Sequence, residues 1–247
     1  MTEPRTLDAP VFDAWAPDGV VFDCDGLLVD TEPCWSVAET ALFARRGLPF
    51  GVEQKRLLIG KSLTAAGAVL EEVFGEPGQA AALGAELEAL VAEVIADQAQ
   101  PMPGARAVVE LAAGRVPVAV ASNSSRRLLD LALYRGGFAD TFSVSIAADE
   151  VEHPKPRPDL YLQACTRLGI APARGLAFED SLTGMRAAVA AGLRLVSVPT
   201  LGQPGLPGDW LLSSLEHPGL IDWITAWPIR SDALIHAERT GQEASRT

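Results

Sequence analysis

Apolar and polar positions alternate at two different periods along this chain, and the period changes at identifiable places. Val20, Val21 and Phe22 form a short run with the β-branched and aromatic make-up of a buried strand. It ends on Asp23, Cys24, Asp25 and Gly26, where glycine releases the chain from β geometry. From Cys34 to about Ala99 the spacing is helical, with four helices predicted and no strand. Trp35, Ala38, Ala41, Leu42 and Phe43 repeat at helical spacing before Gly47, and a short helix is predicted near Glu53–Leu58. Ser62 stands where it would cap a run from Leu63 to Phe74, and an Ala-rich run covers Gln79–Ala99.

Heavy punctuation at Pro101-Met102-Pro103-Gly104 marks a boundary, beyond which short strands and amphipathic helices alternate. Strands are predicted at Val116–Ala121, Phe142–Ala147, Gly175–Phe178 and Leu195–Val198. Helices are predicted near Ser125–Arg135, Pro158–Leu168 and Leu182–Ala191, stopped by Gly136, Gly169 and Gly192. Such alternation implies a parallel sheet covered on both faces, with the all-helical stretch inserted after the first strand. Met1–Pro17 reads as a loose lead-in, and the chain from Gly205 onward as a Pro-rich loop, a helix near Asp209–Leu215 and a polar tail.

At 247 residues and 48% hydrophobic content the chain can bury a large core. It contains no uninterrupted apolar run of about 18 residues and no apolar signal core near its start, which predicts a soluble, cytoplasmic protein. A formal net charge of −12 argues against nucleic acid or an anionic membrane as partner, since both demand a basic footprint. Cys24, Cys34 and Cys165 offer no paired spacing for a disulfide framework or zinc site, and His153, His217 and His236 are scattered. A cysteine phosphatase would place Arg six residues after its nucleophile, but those positions hold Asp30, Thr40 and Ala171.

In a sheet of this kind ligands collect at the carboxyl ends of the strands, where each polar motif of the chain is found. Asp23 and Asp25 are like charges so close that a cation or a shared proton must relieve them, unless they are an acidic surface turn. Ser122, Asn123 and Ser124 follow the second strand and suit a phosphate oxygen; the competing role is a helix cap, which is assigned to Ser124. Glu179 and Asp180 precede a helix, and Asp180 is read equally as its N-cap or as a metal ligand. Lys155, between Pro154 and Pro156, is either a solvated loop charge or an ammonium held in place by restricted backbone.

Taken in order, FDCDGLLVDTE, Ser122, Lys155 in KPRPD and Glu179-Asp180 in FEDSLTG resemble the haloacid dehalogenase superfamily, particularly its Mg-dependent phosphatases. Pro154 departs from the small residue common before the family's Lys. The resemblance implies an α/β fold, a Rossmann-like parallel sheet core at 1–33 and 101–247 with an inserted all-helical cap at 34–100. It also implies Asp23 as nucleophile and Asp25 as acid and base, with Mg²⁺ held by Asp23, the Asp25 carbonyl and Asp180 and supported by Glu179. Ser122, Asn123 and Lys155 would then bind the transferring phosphoryl group. Ile59-Gly60-Lys61-Ser62 lacks the first glycine of a P-loop, since position 55 is Lys55, and by the resemblance Gly60 and Lys61 face substrate from the cap. Trp35 is read as a packing residue.

The implied activity is hydrolysis of a small phosphorylated metabolite, a sugar phosphate above all, by a monomer. One alternative is a β-phosphoglucomutase-like phosphoryl transfer, whose cap Arg and His positions here hold Leu63 and Trp35. The other is a non-enzymatic phospho-accepting receiver, which has no use for a helical insert.

Overall fold

The computed structural model describes residues 12–199 and 206–229. The first strand, β1 (Gly19–Phe22), is followed by β2 (Val29–Asp30) and four helices, α1 (Glu32–Ala44), α2 (Val52–Leu58), α3 (Leu63–Phe74) and α4 (Ala80–Gln98). Next come β3 (Gln100–Pro101), α5 (Ala105–Ala113), β4 (Val118–Ala121), α6 (Arg126–Gly136), β5 (Val144–Ile146) and α7 (Asp159–Leu168). The chain continues through β6 (Gly175–Glu179), α8 (Leu182–Ala191), β7 (Arg194–Ser197), β8 (Trp210–Leu211) and α9 (Pro218–Thr225).

Among the described residues six strands form one sheet in the order β5-β4-β1-β6-β7-β8, with every pairing parallel. The chain leaves β1 toward β4 and β5, then returns to β6 on the other side. The reversal beside β1 opens a crevice at the carboxyl ends of β1, β4 and β6. Strand alternation puts Val20 and Phe22 into a cluster with α5, α6 and α9, while Val21 packs with α7 and α8 on the opposite face. Both faces are therefore dry, which is why these strands read as continuous apolar runs. Cys24 and Cys34 are buried free thiols in the first cluster, and Cys165 in the second.

The helices α1 to α4 pack on one another around Leu42, Leu70, Leu87 and Phe43, whose ring meets Phe50 and Phe74 edge-on. Ser62 caps α3 by accepting from the Ala65 N–H, as its sequence position predicts. The chain enters and leaves this helical block through an antiparallel ribbon, in which Val29 pairs with Pro101 and Asp30 with Gln100. Among the described residues no helix is long and apolar enough to cross a membrane.

Several expectations are corrected. The helix near Asp209–Leu215 is instead β8, whose Trp210 pairs with Val196 on the sheet edge, followed by turns. The last helix among the described residues is α9, with Pro218 at its start and Leu220, Trp223 and Ile224 buried. Part of the lead-in is packed, because Phe12 stacks on Trp223 at 4.6 Å and Trp15 lies under the Arg194 guanidinium. The left-handed residue ending α6 is Gly137, one beyond the expected Gly136. Residues 200–205, which include the Gly205 start of the expected Pro-rich loop, and the polar tail from 230 with His236 lie outside the described residues.

Candidate active site

The register of β1 places Phe22 beside Val120 and Phe178, so the next residues along three strands, Asp23, Ala121-Ser122 and Glu179, meet at one edge. The Asp23 N–H donates to the Phe178 carbonyl at 3.0 Å, which carries the pairing past the strand end. After Asp25 the chain reverses through Gly26 (φ 81°), where a Cβ would collide with the Asp180 carboxylate. Glycine is required there both by the left-handed backbone and by the approach of Asp180.

Lys155 reaches the centre of this edge, its Nζ 2.5 Å from both Asp23 Oδ1 and Glu179 Oε1, with all three side chains buried. Tyr161 of α7 donates its hydroxyl to the same Glu179 oxygen at 2.5 Å, and Ser181 donates to Oε2. A Cβ at position 184 would overlap the Glu179 carboxylate, so the glycine of FEDSLTG is what lets α8 pass over it. Asp25 is held differently. Its Oδ1 accepts from Thr31 at 2.8 Å, and its Oδ2 from Ser122 at 2.8 Å and Ser124 at 2.9 Å.

Ser122 is fully buried, and its hydroxyl donates to Asp25. Ser124 is not the helix cap: Ser125, in extended geometry, accepts from the Leu128 N–H and caps α6, leaving Ser124 to Asp25. Likewise the cap of α8 is Ser181 and not Asp180. Asn123 is a tie between segments. Its amide donates to the carbonyls of Gly60 and Lys155, each at 3.1 Å, and its oxygen accepts from the Lys155 N–H at 2.9 Å.

Burial raises the Asp23 carboxyl well above its ordinary range; Glu179 raises it further, Lys155 opposes, and Asp180 and Asp25 add to the rise. Burial pulls the Lys155 ammonium down, yet Asp23 and Glu179 outweigh it and the net direction is up. Tyr161 is also pushed up, by burial and then by Glu179, so it remains a hydroxyl donor. Lys155 touches two of the four carboxylates gathered here. Oxygen atoms of Asp23, Glu179 and Asp180 lie within 4.8 Å of one another, an all-oxygen donor set that suits a hard divalent cation such as Mg²⁺. Asp25, whose expected contribution is its backbone carbonyl, is not part of that carboxylate group.

A cavity of about 270 Å³ joins this edge to the helical block. Asp23, Asp25, Asn123, Lys155 and Asp180 line it from the sheet side; Gly60 and Lys61 line it from the loop after α2. Trp35, read from the sequence as a packing residue, packs against the core and also lines the cavity. Sequence reasoning missed Thr31, Tyr161 and an ion-paired group on the helix side, Glu32, Glu39 and Lys55. The DT of the first motif was the available signal for Thr31; nothing local distinguishes Tyr161 from a core aromatic.

The chain is 33% identical over 184 residues to the bifunctional riboflavin kinase/FMN phosphatase of Arabidopsis thaliana, which covers 74% of this chain but spans only 48% of that protein. It is 32% identical over 183 residues to fructose-1-phosphate phosphatase YqaB of Escherichia coli, covering 74% of this chain and 97% of that protein. Among solved structures, CbbY from Rhodobacter sphaeroides in complex with phosphate superposes with a TM-score of 0.73 at 26% identity, over 83% of this chain and 99% of that one. The model of the haloacid dehalogenase-like hydrolases matches residues 17–192, from ahead of β1 to the glycine that ends α8, and the chain is accordingly an enzyme belonging to that family.

Proposed function

We propose that this chain hydrolyses a phosphate monoester of a small metabolite, a sugar phosphate above all, through an aspartyl-phosphate on Asp23 in a Mg²⁺-dependent reaction. The observation that carries the reading is the pairing of two differently held carboxylates at one cavity floor: Asp23 buried against an ammonium, and Asp25 suspended from three hydroxyls. The names of the similar phosphatases and the phosphate bound in the CbbY structure support the same class.

In the first step an oxygen of Asp23 forms a bond to phosphorus and the ester oxygen leaves, taking a proton from Asp25. In the second, Asp25 takes a proton from water as the water oxygen bonds phosphorus and the bond to Asp23 breaks, giving inorganic phosphate. Serine and threonine hydroxyls both donate and accept, so Thr31, Ser122 and Ser124 can hold Asp25 in either protonation state. Lys155 fixes the Asp23 carboxylate and places positive charge beside the incoming phosphoryl oxygens. Glu179, in turn, is proposed to hold Lys155, with Tyr161 satisfying its oxygen. Asp23 and Asp180, with the Asp25 carbonyl and Glu179 in support, would hold Mg²⁺, which when bound offsets the repulsion between carboxylate and phosphate. Gly60 and Lys61 would face the substrate, and the helical block at 34–100 would act as the cap over a core of 1–33 and 101–247. A monomer is proposed as well.

Phosphate release from a panel of sugar phosphates, with and without Mg²⁺, tests the reading. Asp23→Asn should abolish turnover, because an amide cannot attack phosphorus; a purified variant near the wild-type rate would remove the mechanism. Efficient conversion of β-glucose 1-phosphate to glucose 6-phosphate, given a trace of the 1,6-bisphosphate, would replace hydrolysis by mutase chemistry.

A further inference from the structure

The helix side of the cavity carries charges that the hydrolytic steps leave unused. Glu32 and Glu39 stand two turns apart on α1, hence on one face, and Lys55 of α2 reaches between them. Its Nζ lies 2.7 Å from Glu32 Oε1 and 2.8 Å from Glu39 Oε2. All three line the same cavity as Asp23, Asp25 and Lys155. The Glu39 side chain is only 3% exposed, at a position flanked along the helix by the buried Ala38 and Leu42. Burial pushes its carboxyl up to about 7 against the pull of Lys55. An apolar residue would fill that place without the desolvation cost, so the carboxylate requires an explanation outside folding.

Resting on the phosphatase reading above, we propose that Glu32, Lys55 and Glu39 form the distal subsite that reads the leaving group. The triad selects a neutral polyhydroxylated alcohol, the monophosphate of a sugar or alditol, over one bearing a second anionic group. With Glu39 ionised, above about pH 7, two carboxylates against one ammonium leave this wall net negative. A second phosphate or a carboxylate there meets like charge, and the ammonium is already shared between two acids. Hydroxyls find what they need: carboxylate oxygens that accept, Glu32 Oε1 among them with no hydrogen-bond partner, and the N–H groups of Lys55 other than the one given to Glu39. Trp35 falls between the two acids on the same helix and lines the same cavity, offering a flat face to the C–H side of a sugar.

The test compares kcat/KM for fructose 1-phosphate and fructose 1,6-bisphosphate, which differ only in the distal phosphate, with Mg²⁺ present and above about pH 8, where Glu39 is ionised. Wild type should favour the monophosphate by about 10-fold or more, and Glu39→Gln should shrink that ratio about 10-fold, mainly through KM, by removing one repelling charge. Taking a ratio cancels any general loss of active protein. Glu32 is 40% exposed, so Glu32→Gln strands no buried charge and repeats the measurement should Glu39→Gln fail to fold. A wild-type preference for the bisphosphate, or ratios in the foldable variants equal to wild type, overturns the subsite while leaving the phosphatase reading intact. Turnover of neither these esters nor any other sugar phosphate overturns both.

Discussion

Replacing Lys155 by methionine keeps most of the side-chain volume and removes the ammonium that bridges two buried acids. Asp23 and Glu179 each lie 2.5 Å from it; Glu179 is 0% exposed and cannot recover water, and Asp23 is only 8% exposed at the cavity floor. Breaking a buried pair by deleting one partner costs about 3–5 kcal/mol. For a chain of 247 residues, 1 kcal/mol corresponds to about 2–4 °C, which places the fall in Tm at about 6–20 °C. The loss has a direction in pH. Asp23 in the folded protein already titrates well above 3.8, so its contribution to stability is complete below that value and declines as pH rises through the folded one. Without Lys155 the force that lowers the folded value is gone, and the decline extends to higher pH. Thermal melts of wild type and Lys155→Met in EDTA from pH 5 to pH 8.5 should diverge as pH rises and converge toward acid. A difference below about 2 °C at pH 8, or one that does not vary with pH, would falsify the account of Lys155 as the neutralising charge of the site.

Asp25→Ala should slow turnover of unactivated esters by about 10²- to 10⁴-fold while leaving Asp23 competent, and rapid quench with labelled substrate should trap phosphoenzyme on activated ones; unchanged rates contradict the acid/base role. Ser124→Ala and Ser125→Ala should separate cleanly: the first removes a donor to Asp25 and lowers kcat, whereas the second removes the α6 cap and costs about 0.5–2 kcal/mol of stability with little effect on kcat. The reverse pattern in melts and kinetics would return Ser124 to the cap. Asn123→Ala cuts the ties to Gly60 and Lys155 and should raise KM and lower stability by about 1–3 kcal/mol, read by urea titration and initial rates; a variant matching wild type in both would show that the tie carries nothing.

The parts of the fold that were legible are those where local pattern and global packing agree. Val20 to Phe22 and Gly175 to Phe178 are buried on both faces, so their apolar runs announce strands without ambiguity. Trp210-Leu211 could not be read this way: a two-residue edge strand has no period, and its identity comes from pairing with Val196 and Ser197 far from any local cue. The helix from Pro218 was legible in principle, since proline at its start and Leu220, Trp223 and Ile224 at helical spacing are cues the polar-tail reading passed over. In the site, the residue types at the strand ends were visible because chemistry restricts them. What each hydroxyl faces was not, since whether Ser122 points at a ligand or at Asp25 depends on a contact across 97 positions of sequence. Glu39 was hidden for a related reason: a glutamate on a helix is ordinarily solvated, and only the reach of Lys55 from the next helix shows that this one is enclosed.

The three buried thiols give the molecule an internal record of its own opening. Cys24 and Cys34 report from one side of the sheet, Cys165 from the other. Burial raises the Cys24 thiol and pushes Cys165 to about 11, so in the closed protein none of them offers a thiolate to a reagent. Labelling therefore waits on exposure, and its rate measures how often each layer parts. Opening confined to the α7 and α8 layer modifies Cys165 alone, whereas global unfolding modifies all three together, so mass spectrometry of partly labelled protein distinguishes the two events without adding a probe.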